Sequence, residues 1–351
     1  MNTRSGLLLV SILSAMAAAV SGQEVTERED KVFATEPIPM VRAIAPRAKV
    51  LVASAVHLSG TIQITSHDSD SLLVKYVKVA KAADRSQAID FIDLISVVIG
   101  GRGDSPNIEL RAPNPAPWSG TDYSGQVELE IVAPASCEIE IRALAYDVTA
   151  AGPLRALDIP ESLGKIEVSK ITERLNVVTA NRRVVLSEIA GLISAATTNS
   201  SLAARNVRST EDQARFRNDG GDIEIIDLVG TLDIKNSYGR ITVEGFESRG
   251  RSSYVRGSSG PISIELIAMA EGQLVVSNRQ EDVEISVPDT LSAFYTLSVD
   301  DDGIIEATNF PFTPDLVERN RLNLQSGDGR VDILGSVKGK GNIFIRGKSG
   351  E

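Results

Sequence analysis

Residues 221–246 read GDIEIIDLVGTLDIKNSYGRITVEGF, in which one five-residue phrase occurs three times: glycine, any residue, aliphatic, any residue, aliphatic. Alternating aliphatics have the period of a β-strand, so Ile223 and Ile225, or Leu232 and Ile234, point to one side while the residue between them faces the other way. Those intervening positions, among them Glu167, Glu224, Asp233, Thr242, Ser263, Glu284, Asn323 and Asp332, read as a solvated outer face. Glycine ahead of each strand permits a sharp corner, because it reaches positive φ without a Cβ penalty.

The phrase returns at Gly60 (GTIQI), Gly125 (GQVEL), Gly164 (GKIEV), Gly260 (GPISI), Gly272 (GQLVV), Gly329 (GRVDI) and Gly341 (GNIFI). Strand starts at Gly230, Gly239, Arg251, Gly260, Gly272, Glu281, Ala293, Asp302, Asn320, Gly329 and Gly341 step alternately by nine and twelve residues, with one interruption of eighteen. Nine and twelve make a coil of about 21 residues, which predicts an all-β, single-stranded β-solenoid (β-helix). Two strand faces enclose a thin aliphatic interior, and each coil rises about 4.8 Å above the last. Upstream, Gly164, Glu173 and Arg182 are nine apart, so the alternation is not established there and three strands per coil remain open.

Four regions follow. Residues 1–22 form a secretory leader: Arg4, an apolar run from Leu7 to Val20, then small residues to Gly22. The run has about fourteen residues against the roughly twenty that span a bilayer, so cleavage near Ser21 or Gly22 and a soluble, extracytoplasmic product are expected. Residues 23–48 form a linker or cap, residues 49–160 an irregular β-rich part with a short helix over Ser86–Leu94, and residues 161–351 the regular repeats. The stretch Ala112–Gly125 (APNPAPWSGTDYSG) reads as a long loop, and Phe310, Pro311, Phe312 and Pro314 mark an excursion.

With 36 basic and 47 acidic residues the formal charge is −11, and no basic run interleaved with aromatics offsets it, so nucleic acid is not an expected partner. The single cysteine, Cys137, cannot form an internal disulfide; it shares parity with Ile139 and Ile141 and is expected inside, as an inert thiol.

A leader, an irregular β-rich opening with a short helix near Ser86, and glycine-led strands such as those of residues 221–246 together resemble the adhesin-like family of bacterial envelope β-helix proteins, over most of residues 45–347. The resemblance implies an extracytoplasmic repeat domain of undefined function and brings no catalytic residue with it. The sequence departs from the family pattern in showing no transmembrane or cytoplasmic regulatory segment.

Few residues offer chemistry. His57 has outward parity and His67 sits beside Asp68 and Asp70 in a turn, so neither has the clustered partners a zinc site or triad needs. Asp300, Asp301 and Asp302, NDGGD (Asn218–Asp222) and GDGR (Gly327–Arg330) lack calcium-loop spacing and read as turns. Glu224 and Asp233 are the carboxylates a polysaccharide lyase or hydrolase would use; Trp118, the one tryptophan, falls in a loop where no sugar-stacking cleft is evident. Arg102–Pro106 reads RGDSP, an integrin-type peptide in an exposed turn, but such a short match arises by chance. No residue is assigned to catalysis, a cofactor or a metal.

The expected function is a non-enzymatic, adhesin-like binding or scaffold surface at the bacterial envelope, contacting an envelope protein or polysaccharide. The alternatives are a carbohydrate-active β-helix enzyme and a self-assembling structural protein. For the last, the strand Ile343–Ile345 is expected to end the stack uncapped, leaving an edge for end-to-end association.

Overall fold

The computed structural model describes residues 24–210, 213–300, 302–310 and 316–349; the leader pattern, Asp301, Pro311, Phe312 and Pro314 lie outside them. Short strands wind into one continuous parallel β-solenoid around a single aliphatic core. Strand Ile223–Gly230 shows why: Ile223, Ile225 and Leu228 are buried while Glu224 and Asp227 stay wet. It lies parallel between Leu202–Ser209 and Ile241–Ser248, so Leu202, Ile223, Ile241, Ile262 and Val283 stack in one file. These strands make up the first face. The second is built from Glu138–Arg142, Ala214–Asn218, Leu232–Asn236, Ser252–Arg256 and Gly272–Asn278, with Phe216, Ile234, Val255 and Val276 filed inside it.

Between these faces the coil has a third, shorter side. Lys170, Glu188, Asn206, Asp227 and Gly245 occupy equivalent positions and all have φ between +54° and +64°, so each turns the chain once at a stacked left-handed residue. The next inward residues, Ile171, Ile189, Val207, Leu228 and Phe246, file together. Gly191 makes the second turn at φ +103°, where a Cβ would lie 1.9 Å from the Glu173 carbonyl oxygen. The coil is thus three-sided, the alternative left open upstream, and the two-faced coil expected from the downstream spacing is corrected. Coil length is 18 residues where Val148 meets Ile166 and Ile166 meets Val184, and 21 from Ile241 to Ile262 to Val283. The third corner carries buried polar side chains that satisfy turn carbonyls: Thr179 and Thr197 through their hydroxyls, Asn218, Asn236 and Asn278 through Nδ2, with hydrogen bonds of 2.7–2.9 Å. Pairing these carbonyls avoids the desolvation cost of burying them unpaired.

The ends depart from simple winding. The first coil in the chain, Lys49–Ser54 and Leu58–His67, is not the first in space. It lies between Pro106–Arg111 with Ser124–Pro134 on one side and Glu138–Arg142 with Ala145–Ile159 on the other. Beyond it a cap closes the stack: Ser71–Lys81 runs antiparallel to Ser124–Pro134 and carries Ile38–Ala43 and Val32–Thr35, while Ser96–Gly101 covers the other face. The expected helix is present as Arg85–Leu94. Asp84 caps it by accepting from the Gln87 N–H at 2.9 Å, and its Ala88, Phe91 and Ile92 are buried.

At the other end, Val331–Val337 lies between Gly272–Asn278 and Ala293–Val299, and Ile343–Lys348 between Val283–Pro288 and Ile305–Thr308. The chain therefore leaves a coil-wide space, builds the coil beyond it, and returns to fill the space last. This overturns the expectation that Ile343–Ile345 ends the stack uncapped: both its edges are paired, and end-to-end association through the C-terminal coil loses its premise. The expected solenoid strand at Asn320 is corrected as well, since Arg321–Gln325 runs antiparallel to Ala293–Val299 and to Leu316–Glu318. It is a closing hairpin, and the Tyr295 ring meets Phe310 edge-on at 5.5 Å beneath it.

A candidate binding face

The outer surface of the second face gathers the most organised charge. Glu138 and Glu140 point outward from one strand, yet their side chains are only 12% and 9% exposed, because cations close over them. Lys49, from the neighbouring coil, reaches Glu138 at 3.2 Å and Glu140 at 2.8 Å. Arg155 and Arg174 also bind Glu138, and Arg142 binds Glu140. The ammonium and guanidinium beside Glu140 hold its carboxyl below the usual carboxylate range despite partial burial, and Lys49 is correspondingly raised.

Starting four coils beyond Glu138–Arg142 on the same face, Arg217, Lys235 and Arg256 stand directly beside one another in register. Asp233, 8% exposed, lies between the two arginines: one carboxylate oxygen accepts from Arg217 and the other from Arg256 at 3.1 Å. Arg217 also donates to the Asp233 carbonyl at 2.8 Å, and Arg256 lies 4.6 Å over the Tyr254 ring. Asp233 was expected among solvated outer residues; its paired arginines enclose it instead. Sequence reading missed this cluster because its members are 16 to 23 residues apart. The only available signal was register: adding one coil length to Arg217 gives Lys235, and a second gives Arg256.

The other candidates disperse. Glu224 is on the first face, 4.0 Å from Arg205, and Asp233 is on the second, so the two carboxylates do not share a groove. His57 Nε2 meets Asn114 Oδ1 at 3.0 Å, and His67 Nδ1 accepts from the Ser69 N–H at 2.9 Å within its turn. Cys137 is fully buried, which pushes its thiol pKa up. Among the described residues no cluster of His, Cys, Asp or Glu has metal-binding geometry. Arg102, Gly103 and Asp104 form the exposed tip of the hairpin joining Ser96–Gly101 to Pro106–Arg111. Trp118 folds inward, against Phe91 at 5.3 Å and over Gly125, and donates from Nε1 to the His57 carbonyl at 2.8 Å. The proline-rich loop is thereby a structural flap.

No family model and no curated protein matches the chain. Among solved structures it is similar to a candidate adhesin from Parabacteroides merdae (8% identity, 88% of this chain and 95% of that one, TM-score 0.30). It is also similar to a candidate cell adhesion protein from Clostridium sporogenes (10%, 89% and 100%, 0.21) and a candidate adhesin from Bacteroides fragilis (10%, 88% and 97%, 0.26). The fold of this chain is defined by its own strand pairing.

Proposed function

We propose that the chain is an exported, non-enzymatic protein whose solenoid presents an adhesin-like binding or scaffold surface at the bacterial envelope. The observation that carries this reading is the state of the most enclosed outer carboxylates. Glu138, Glu140 and Asp233 each bind two or three fixed cations, which suits them to hold a charge pattern rigid. A glycosidase needs the opposite, a carboxyl kept protonated beside a second that faces the same substrate. Export rests on the leader pattern of residues 1–22. Among the described residues no helix is long and apolar enough to cross a membrane.

The test pairs two measurements on the mature chain. Incubated with a panel of acidic and neutral polysaccharides, it should release neither reducing ends nor unsaturated uronides; immobilised, it should retain material from a solubilised envelope fraction. Turnover of any polysaccharide would replace the binding reading with the enzymatic one.

A further inference from the structure

The row Arg217, Lys235 and Arg256 is unusual on physical grounds. Cross-strand neighbours of like charge destabilise a sheet, and these three are neighbours in consecutive coils, about 4.8 Å apart. Arg215 adds a fourth cation on the first of the three strands. Asp233, in register with Arg215 and paired with Arg217 and Arg256, offsets part of this, and among the described residues Lys235 and Arg215 form no ion pair. The row ends in uncharged positions, Ala196 on one side and Ser277 on the other. A concentrated positive strip thus sits on a chain whose net charge is −11.

We infer that this row binds a linear acidic polysaccharide laid along the solenoid axis, its carboxylate or sulfate groups taken in turn by Arg217, Lys235 and Arg256. The inference rests on the binding-surface reading and names the ligand class for it. Asp233 holds the two guanidiniums in place, which lowers the ordering cost of a further contact; Arg217 donates from Nη1 to the Phe216 and Asp233 carbonyls, and the two side chains stay 37% and 46% exposed. Cations repeating at the strand spacing match a polymer that carries charge at intervals of about one sugar ring. The row is one residue wide. A broader polyanion such as duplex nucleic acid or a lipid surface would also meet Glu224, Glu244, Glu265 and Glu284 on the adjoining first face. The absence of a basic run in the sequence therefore holds along the chain but not across the coils.

Polygalacturonate is the probe, with dextran as the neutral control, titrated against the full mature chain at low salt. Wild type should bind polygalacturonate, release it as salt rises, and ignore dextran. Lys235→Glu should weaken binding at least about tenfold while the melting temperature stays at or above the wild-type value, since it relieves the repulsion in the row. Lys81→Glu, the same charge change made in the N-terminal cap, should leave affinity at the wild-type value. Equal weakening by both variants would reduce the effect to net charge and overturn the inference. So would tighter binding to a single-stranded oligonucleotide, to phosphatidylglycerol vesicles or to an acidic protein, abolished by Lys235→Glu. Full retention of envelope material by Lys235→Glu would overturn the row while leaving the binding-surface reading in place, whereas wild type that retains nothing would remove that reading itself.

Discussion

At the N-terminal end of the solenoid both faces close on antiparallel strands and a helix lies against the cap strands; at the C-terminal end one face closes on a hairpin. The other face stops at Ile305–Thr308, which among the described residues pairs with another strand on one side only, its outer edge tied at Ile305, whose N–H donates to the Arg319 carbonyl at 3.3 Å. The two ends share a stranger property, since at each the sequence-terminal coil lies second from the end in space. Strands flanked on both sides have their ladder groups paired, so this chain's first and last coils are held like interior ones. The weak edge is formed by an internal segment. Position in a stack and position in a chain are separate variables, and fraying follows the first.

The largest test of that comparison is removal of residues 329–351. In an ordinary solenoid, loss of the last coil shortens the stack and leaves its interfaces intact. Here it empties the space between Gly272–Pro288 and Ala293–Thr308 and removes Val331, Ile333, Val337, Ile343 and Ile345, all buried at 2% exposure or less. At about 1.5–3 kcal/mol per buried aliphatic side chain, the loss is on the order of 10 kcal/mol, comparable with the whole stability of a domain. The truncated protein should expose residues 289–328 to limited proteolysis and show a collapsed urea midpoint. A midpoint at the wild-type value would mean that the coil is terminal after all.

A finer test substitutes single residues on adjacent strands of the same face. Ile343→Ala sits between Val283 and Ile305 with no exposed surface, and should cost about 2–5 kcal/mol. Ile305→Ala, half-buried at the open edge, should cost about 1 kcal/mol. Urea denaturation of the pair measures the ratio, and hydrogen exchange should find the amides of Ile305–Thr308 opening before those of Ile343–Lys348. Reversed order in either measurement would contradict the stacking.

Much of the fold was legible because its cause is local. Alternation in GDIEI or GRVDI fixes which side chains point inward whatever lies above or below, and the helix was visible in Ser86–Leu94. What escaped was non-local. The nine and twelve spacing is unchanged whether the strand after Gly329 stacks beyond its predecessors or returns between them, so the intercalated coil left no trace in the period. The third side was left open upstream, where strand starts are nine apart, and escaped in the later coils, where Asp227 and Gly245 make the same turn between the counted strand starts. The basic row escaped for the same reason as the intercalation: Arg217, Lys235 and Arg256 are far apart in sequence until the coil length is known.

The smallest effect concerns ion pairs made by each intercalated coil: Lys49 to Glu138 and Glu140 on the adjacent strand at the N-terminal end, and Lys348 across the strand Val283–Pro288 to Glu265 at the C-terminal end. Glu140 and Glu265 are both held below the usual carboxylate range, each first of all by its lysine. A carboxylate with a depressed folded pKa contributes stability above its unfolded value and loses it as pH falls through the folded one. Lys49, raised in the fold, contributes fully below its unfolded value and loses the contribution as pH climbs through its elevated folded one. Glu140→Gln should therefore be less stable than wild type by about 1 kcal/mol at neutral pH, a gap that stays constant down to about pH 5 and closes at more acidic pH. Glu265 is 33% exposed against 9% for Glu140, so solvent screens its pair more, and Glu265→Gln should show the same profile at a few tenths of a kcal/mol. Urea midpoints of the three proteins between pH 3 and pH 8 measure both gaps. A gap that widened on acidification would mean that these carboxyls are protonated in the fold and that the ties are not ionic.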